Sequence, residues 1–377
     1  MELKFGIVGG GGGYIGDVHR HGAIMDDLAV LVCGCFSRNK QRNLDTGHKW
    51  HIHDDGRIYP DYRSMAEAES KREDGINFVS IATPNNSHYE IAKCFLEHGI
   101  NVMCDKPLAC SVEQGLDLKK TAEEKGLMFG LTYTFTGYAM VRQAREMIDN
   151  GAIGDILYVT AEFPQDWLIA SLVRDDSDQA LWRLDPEIAG DSFCTADVGT
   201  HLEQLITQST GLKVKRVLAR FDKYPRNLPL ETNTTVMLDF GNEVSGMMWA
   251  STIAMGYECE INIRIFGTKG AIEWSQSRLG ELKYTKINEP SQIFTATRDY
   301  LYEESRRLSR LPSGHPEGLY EAFGNIYRSY CEHLIARIEG KKAENFTYPT
   351  IDDGIHGLKF VDACIKSNKE GNIWVEV

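Results

Sequence analysis

Over the first 130 residues short apolar runs alternate with amphipathic stretches, a pattern that predicts a parallel sheet covered by helices. The extended runs fall at residues 4–8, 30–36, 78–82, 101–104 and 128–132. Between them, residues 88–98 have helical periodicity and stop at Gly99. Ser111-Val112-Glu113-Gln114 has the spacing of a capping box, in which the serine hydroxyl takes the amide three residues on, and opens a helix that stops at Gly126. After a further helix at 138–150 the period changes. Runs rich in β-branched residues occupy 156–163, 214–221, 232–240, 244–253 and 258–266, with turns at 240–243 and 267–270. This half predicts a mostly antiparallel sheet. Two late helices, 317–339 and 351–366, end the pattern, and residues 174–179 and 306–314 read as exposed loops.

Size turns this change of period into a domain boundary. A chain of 377 residues exceeds what one core usually serves, so residues 1–132 and 133–377 are expected to fold as two domains. Charge narrows the partners: 41 Lys and Arg against 54 Asp and Glu leave a net charge of -13. That balance repels phosphate backbones and anionic lipid heads, so neither nucleic acid nor a membrane is expected as a partner. Nine cysteines without a Cys-x-x-Cys pair fit packed, reduced thiols and a cytoplasmic compartment. Met1 leads directly into the first strand, with no apolar stretch long enough to span a bilayer.

In the first domain the chemistry gathers at four places. Five glycines follow the first strand, in Val8-Gly9-Gly10-Gly11-Gly12-Gly13-Tyr14-Ile15-Gly16. A tight turn there lets a pyrophosphate approach the amides at the next helix N-terminus. Gly11, Gly13 and Gly16 stand in the regular G-x-G-x-x-G register, although Gly9 and Gly11 can make the turn in a longer loop. The second strand then ends Phe36-Ser37-Arg38-Asn39-Lys40, with no carboxylate to hold the ribose 2′-hydroxyl of NAD. Ser37 and Arg38 can accept the 2′-phosphate of NADP, or Arg38 can stack on adenine, so NAD and NADP both stay open.

The third place is Ala82-Thr83-Pro84-Asn85-Asn86-Ser87-His88, which ends a strand with small polar residues suited to line a cofactor groove. A plain strand-to-helix cap accounts for the same letters. The fourth is Cys104-Asp105-Lys106-Pro107, where an ammonium follows an apolar run and the next proline holds Lys106 extended. Further on, Asp197 and His201 are four apart, so a helix projects both from one face. Histidine suits proton transfer near neutral pH, and a neighbouring carboxylate raises its basicity or binds a hydroxyl. Trp182 and Arg183 can cover a nicotinamide or sugar face, or pack as core. His315, with Tyr320, can open a helix and reach the pocket from the second domain. The pairs His51/His53 and His19/His21 lack the three or four convergent ligands of a metal site, and no metal is expected.

The order of these segments resembles the Gfo/Idh/MocA oxidoreductases, named for glucose-fructose oxidoreductase and inositol dehydrogenase, over the whole chain, and within them an inositol or glucoside dehydrogenase-like subgroup. Where that family usually has Glu-Lys-Pro, this chain has Asp105-Lys106-Pro107. The resemblance implies that Lys106 is the catalytic lysine and that Asp197 and His201 are the substrate-binding aspartate and acid/base histidine. It implies an α/β fold, with an N-terminal Rossmann dinucleotide-binding domain and a C-terminal α+β domain whose large, open sheet joins homodimers or homotetramers. Residues 9, 11, 13, 14, 15, 37, 38, 83, 84, 85, 88, 105, 106, 182 and 183 are then expected around NAD(P), and Lys106, Trp182, Asp197, His201 and His315 around a sugar or polyol. The expected reaction is hydride transfer from a secondary hydroxyl of a cyclic polyol, sugar or glycoside. A glycoside-cleaving enzyme using transient oxidation and a non-catalytic NAD(P) sensor are the alternatives.

Overall fold

In the computed structural model, residues 1–174, 184–342 and 345–377 are described. They form two compact units, Met1–Gly137 with Leu319–Ile355, and Tyr138–Gly318 with His356–Val377.

The first unit is a five-stranded sheet in the order β2-β1-β3-β4-β5, with every pair parallel. Its elements run β1 (Leu3–Gly9), α1 (Tyr14–Ile24), β2 (Ala29–Cys35), α2 (Lys40–Lys49), α3 (Tyr62–Ser70), β3 (Phe78–Ala82), α4 (His88–Glu97), β4 (Asn101–Cys104), α5 (Val112–Lys125) and β5 (Phe129–Leu131). Helices on both faces explain why β3 is buried at all five positions and contains no alternating polar residue except Ser80. The expected caps of α5 are present: the Ser111 hydroxyl oxygen accepts from Gln114 N–H, and Gly126 stops the helix at a left-handed φ of 63°.

One element departs from the expected division. The helix Leu319–Ile338, assigned by sequence to the second domain, packs on α1 in the first unit. Phe323, Ile326, Tyr327 and Tyr330 enter one buried cluster with Phe5, Ile7 and Val18. A wide apolar face tells that a helix needs a partner but not which one, and here the partner lies about 300 residues earlier in the chain.

The second unit carries nine strands in the order β13-β12-β11-β10-β6-β9-β8-β7-β14. Their ranges are β6 (Ile156–Pro164), β7 (Arg216–Asp222), β8 (Asn233–Gly241), β9 (Val244–Ser251), β10 (Asn262–Gly267), β11 (Gly270–Ser275), β12 (Glu281–Lys286), β13 (Gln292–Thr295) and β14 (Val375–Glu376). All pairings are antiparallel except β6 with β9. The β8–β9 turn contains Asn242 and Glu243 at φ 51° and 65°, the left-handed pair that a two-residue hairpin demands.

Alternation gives this sheet two different faces. Val159, Ala161, Val236, Leu238, Met248, Ile263 and Ile265 are buried, and the helix Thr200–Thr210 packs on β6 on the covered side. The opposite residues stay open: Met237 is 50% exposed, Met247 41%, Phe266 40% and Tyr158 37%. The register sets Met237 against Met247, and Tyr158 against Phe266, so these side chains share one face.

Candidate functional site

A sheet of order β2-β1-β3 reverses the direction of its connections between β1 and β3, and the loops leaving those two strands diverge to open a crevice at their carboxyl ends. Gly9 at the end of β1 pairs with Ala82 at the end of β3, and Ile81 pairs with Cys104 at the end of β4. Strand pairing alone therefore sets the glycine loop, the Thr83-Pro84-Asn85 loop and Asp105-Lys106 along one edge.

The glycine turn is made by Gly9 and Gly10, at φ 90° and 82°, which L side chains rarely adopt. A Cβ on Gly16 would lie 2.3 Å from Gly10 Cα, so α1 starts against the loop backbone. The regular register starting at Gly11 is thus not the one that turns: Gly10 and Gly16 hold the close contact, while Gly11 N–H donates to the Phe36 carbonyl at 3.1 Å. Gly13 is the N-cap of α1, with no side-chain cap and open space around a Cβ there. Tyr14 follows it at 74% exposure, and Ile15 is half-buried.

At the end of β2, Asn39 caps α2 by accepting from Arg42 N–H, and the Ser37 hydroxyl oxygen accepts from Asn39 N–H at 3.1 Å. Arg38 is exposed. Arg42, not singled out from sequence, also belongs here: a Cβ on Gly12 would stand 3.4 Å from one of its guanidinium nitrogens. Its signal was its spacing, one helical turn after Arg38.

Asp105 is tied down by three groups. Its Oδ1 accepts from Lys106 N–H and from the Thr132 hydroxyl, both at 2.9 Å, and lies 3.8 Å from His19 Nε2. His19 is wholly buried on α1, with Nδ1 3.0 Å from Ser80 Oγ and 2.7 Å from Tyr327 Oη. Those two oxygens are themselves 2.7 Å apart. The hydroxyl protons are all used if Tyr327 donates to Nδ1 and Ser80 donates to Tyr327, which leaves the ring proton on Nε2, facing Asp105. Burial opposes the charge of Asp105, but His19, with Lys106 and His88, outweighs it and holds the carboxyl well below the usual carboxylate range. Lys106 is half-buried, and its peptide bond to Pro107 is cis.

His88 differs from its expected place in the cofactor groove. It is fully buried, with Nδ1 2.7 Å from the Pro107 carbonyl and Nε2 2.8 Å from the Thr83 carbonyl. It joins the two loops from behind. A neutral ring donates through one nitrogen only, so both contacts are hydrogen bonds only when the ring is protonated. Burial pushes its pKa down, while the two carbonyls and Asp105 act in the other direction.

Asp197 and His201 belong to the second unit. Their segment is helical as expected, but it opens with a π turn, Thr195–Gly199, that runs into the α-helix Thr200–Thr210. Both side chains are half-exposed, and the His201 ring stands edge-on to Phe163 with centroids 6.0 Å apart. His315 does not open a helix. It is exposed in the loop before Leu319, with its backbone N–H and Nδ1 both near the Pro312 carbonyl, and Tyr320 belongs to the other unit. Trp182 and Arg183 lie outside the described residues.

Residues 3–133 match the oxidoreductase family NAD-binding Rossmann-fold domain, and residues 141–273 match the GFO/IDH/MocA C-terminal domain. The chain belongs to this family. It is 38% identical to the uncharacterized oxidoreductase YfiI of Bacillus subtilis over 99% of this chain and 96% of that protein. An oxidoreductase structure from Sinorhizobium meliloti is 39% identical, with a TM-score of 0.89, covering 100% of this chain and 99% of the other. An inositol dehydrogenase homolog from Azotobacter vinelandii, solved with NAD+, is 32% identical, with a TM-score of 0.95 and coverage of 100% and 98%. As a Gfo/Idh/MocA protein the chain is an NAD(P)-dependent oxidoreductase acting on CH–OH groups.

A dinucleotide fits the residues present. The positive-φ turn at Gly9 and Gly10 brings backbone, not side chain, to the loop surface, and the uncapped start of α1 at Gly13 leaves helix amides for an anion. Among the described residues no helix is long and apolar enough to cross a membrane.

Proposed function

We propose that this oxidoreductase oxidises a secondary hydroxyl of a cyclic polyol, sugar or glycoside. The observation that carries this reading is Lys106, a lysine whose backbone N–H is held by Asp105 at the carboxyl end of β4, one strand from the dinucleotide loop's neighbour β3. The relative from Azotobacter vinelandii has also been solved with NADH and myo-inositol, at 31% identity and a TM-score of 0.92, which supports a polyol. In this reading His201 takes the hydroxyl proton, Asp197 binds the hydroxyl and supports the basicity of His201, and Lys106 polarises the oxygen as charge develops on it. The nicotinamide, when bound, accepts hydride at C4. Screening polyols, aldoses and glycosides for NADH and NADPH formation tests the reading. Release of a free sugar with no net reduced cofactor would replace it by glycoside cleavage, and cofactor binding without any turnover by a sensor.

Cofactor choice follows from the end of β2, where no acid stands and Ser37, Arg38 and Arg42 do. NADP is expected to be accepted, because only its 2′-phosphate uses the guanidinium charge. Arg38→Ala is expected to weaken NADP about tenfold more than NAD in direct titrations. Equal losses would mean that Arg38 stacks on the base instead.

The open face of the nine-stranded sheet is read as a surface between copies of this chain, because Met237, Met247, Phe266 and Tyr158 are exposed apolar side chains on it. Light scattering at micromolar concentration is expected to give a dimer or tetramer, and Met237→Lys with Phe266→Lys to give monomers. A wild-type monomer would refute this assembly. A cytoplasmic location accords with nine free cysteines, five of them buried.

A further inference from the structure

Glu231 precedes β8 by two residues, and its side chain is 2% exposed. Among the described residues no lysine, arginine or histidine pairs with it. A buried carboxyl left without partners is costly, so its hydrogen bonds must carry the burden. They all lead to one place. Oε1 accepts from the Ser192 hydroxyl at 2.6 Å and from Thr195 N–H at 2.9 Å, and both oxygens stand 3.2 Å from Phe193 N. The main chain joins in, with Cys194 N–H pointing to the Glu231 carbonyl at 3.4 Å.

These donors, the Ser192 hydroxyl and the Phe193 and Thr195 amides, lie at and just before the start of the π turn that carries Asp197. Four amides at a helix start lack intrahelical partners, and the dipole there favours a negative charge. Such ends are usually capped by a local Ser, Thr, Asp or Asn. Here the cap comes from a residue about 35 positions later, at the entrance to the interior strand β8, so the helix start is fixed relative to the sheet and not merely to its own loop. Thr195 Oγ1 and Thr234 Oγ1, 2.8 Å apart, repeat the link one step along β8. The next bond in the chain runs from Asp197 N–H to the Phe193 carbonyl at 2.8 Å, so the residue gripped by Glu231 through its amide holds Asp197 through its carbonyl.

We infer that Glu231 is a positioning residue for Asp197 and His201: it locks the π turn to β8 and so sets where both side chains meet the substrate. The inference rests on the dehydrogenase reading above. A neutral amide in its place keeps one acceptor oxygen but offers N–H groups to donors, so Glu231→Gln should retain part of the function and Glu231→Ala little.

The test is steady-state kinetics with the polyol or glycoside that wild type oxidises, together with NAD binding measured by titration without substrate. For substrate kcat/KM we expect losses of about 100-fold for Glu231→Ala, about tenfold for Glu231→Gln and about threefold for Ser192→Ala. NAD affinity is expected within about twofold of wild type in all three, since the dinucleotide loop lies in the other unit. A purely structural residue would lower the melting temperature without this graded loss confined to the substrate terms. If Glu231→Ala fails to fold, the Gln and Ser192 variants decide. Normal kcat and KM in Glu231→Gln and Ser192→Ala would overturn the inference while leaving the dehydrogenase reading intact. Absence of turnover in wild type would overturn that reading first, and the inference with it.

Discussion

Lys106→Ala is expected to lower turnover by about 10²–10⁴-fold, with His201→Ala falling in the same range, because the reaction proposed above gives one the role of polarising cation and the other that of proton carrier. Folding should hardly change. Lys106 is half-buried, and what anchors the loop is its backbone N–H on Asp105 and the Pro107 carbonyl on His88, all of which survive the truncation. The pH profile separates His201 from Asp105. The carboxyl of Asp105 is depressed below its unfolded value, so its ionised form contributes above the unfolded carboxylate range and is lost only as pH falls through the lower folded value. A limb near neutrality therefore cannot come from Asp105. In the reaction proposed above such a limb reports the proton carrier and should vanish in His201→Ala. Near-normal turnover in either variant removes that residue from the chemistry, and an unchanged acid limb in His201→Ala assigns the limb elsewhere.

Gly16→Ala is expected to weaken NAD and NADP about ten- to a hundredfold and to lower the melting temperature. The added Cβ would lie 2.3 Å from Gly10 Cα and 2.8 Å from Gly10 O, and neither atom belongs to a flexible side chain that can swing away. Overpacking of this kind costs about 1–3 kcal/mol. Relief requires α1 to move off the turn, and with it the uncapped amides that would meet the pyrophosphate. Gly13→Ala is the control: nothing lies within 4 Å of a Cβ there, and its φ of -146° suits any residue. Its thermal stability should match wild type. Isothermal titration showing wild-type cofactor affinity for Gly16→Ala would mean that the loop tolerates displacement and that the Gly10–Gly16 contact does not shape the site.

Local chemistry made much of this legible. The strands of the first unit were placed by apolar runs, α5 by Ser111 and Gly126, and the β8–β9 hairpin by Gly241-Asn242-Glu243, because each depends on side chains within a few residues of one another. The glycine run was legible as a loop but not in its register. Five identical residues carry no information on which two take positive φ, and that was decided by the carbonyl of Ala82 beside Gly9 and the start of α1 beside Gly10. The short strands β12, β13 and β14 carried too few apolar positions to stand out before the sheet paired them.

By itself, the sequence determined the change from parallel to antiparallel architecture and the order of the chemical segments, since periodicity and turn residues act locally. Tertiary structure alone decided that Leu319–Ile338 packs with α1, that His88 supports the two loops from inside, that His19 reaches Asp105, and that Glu231 caps a helix starting 36 residues before it. The physical reason is common to all four. A buried polar group or an apolar helix face must find a partner, but the sequence states only the need, and the partner is whichever residue the fold brings within reach.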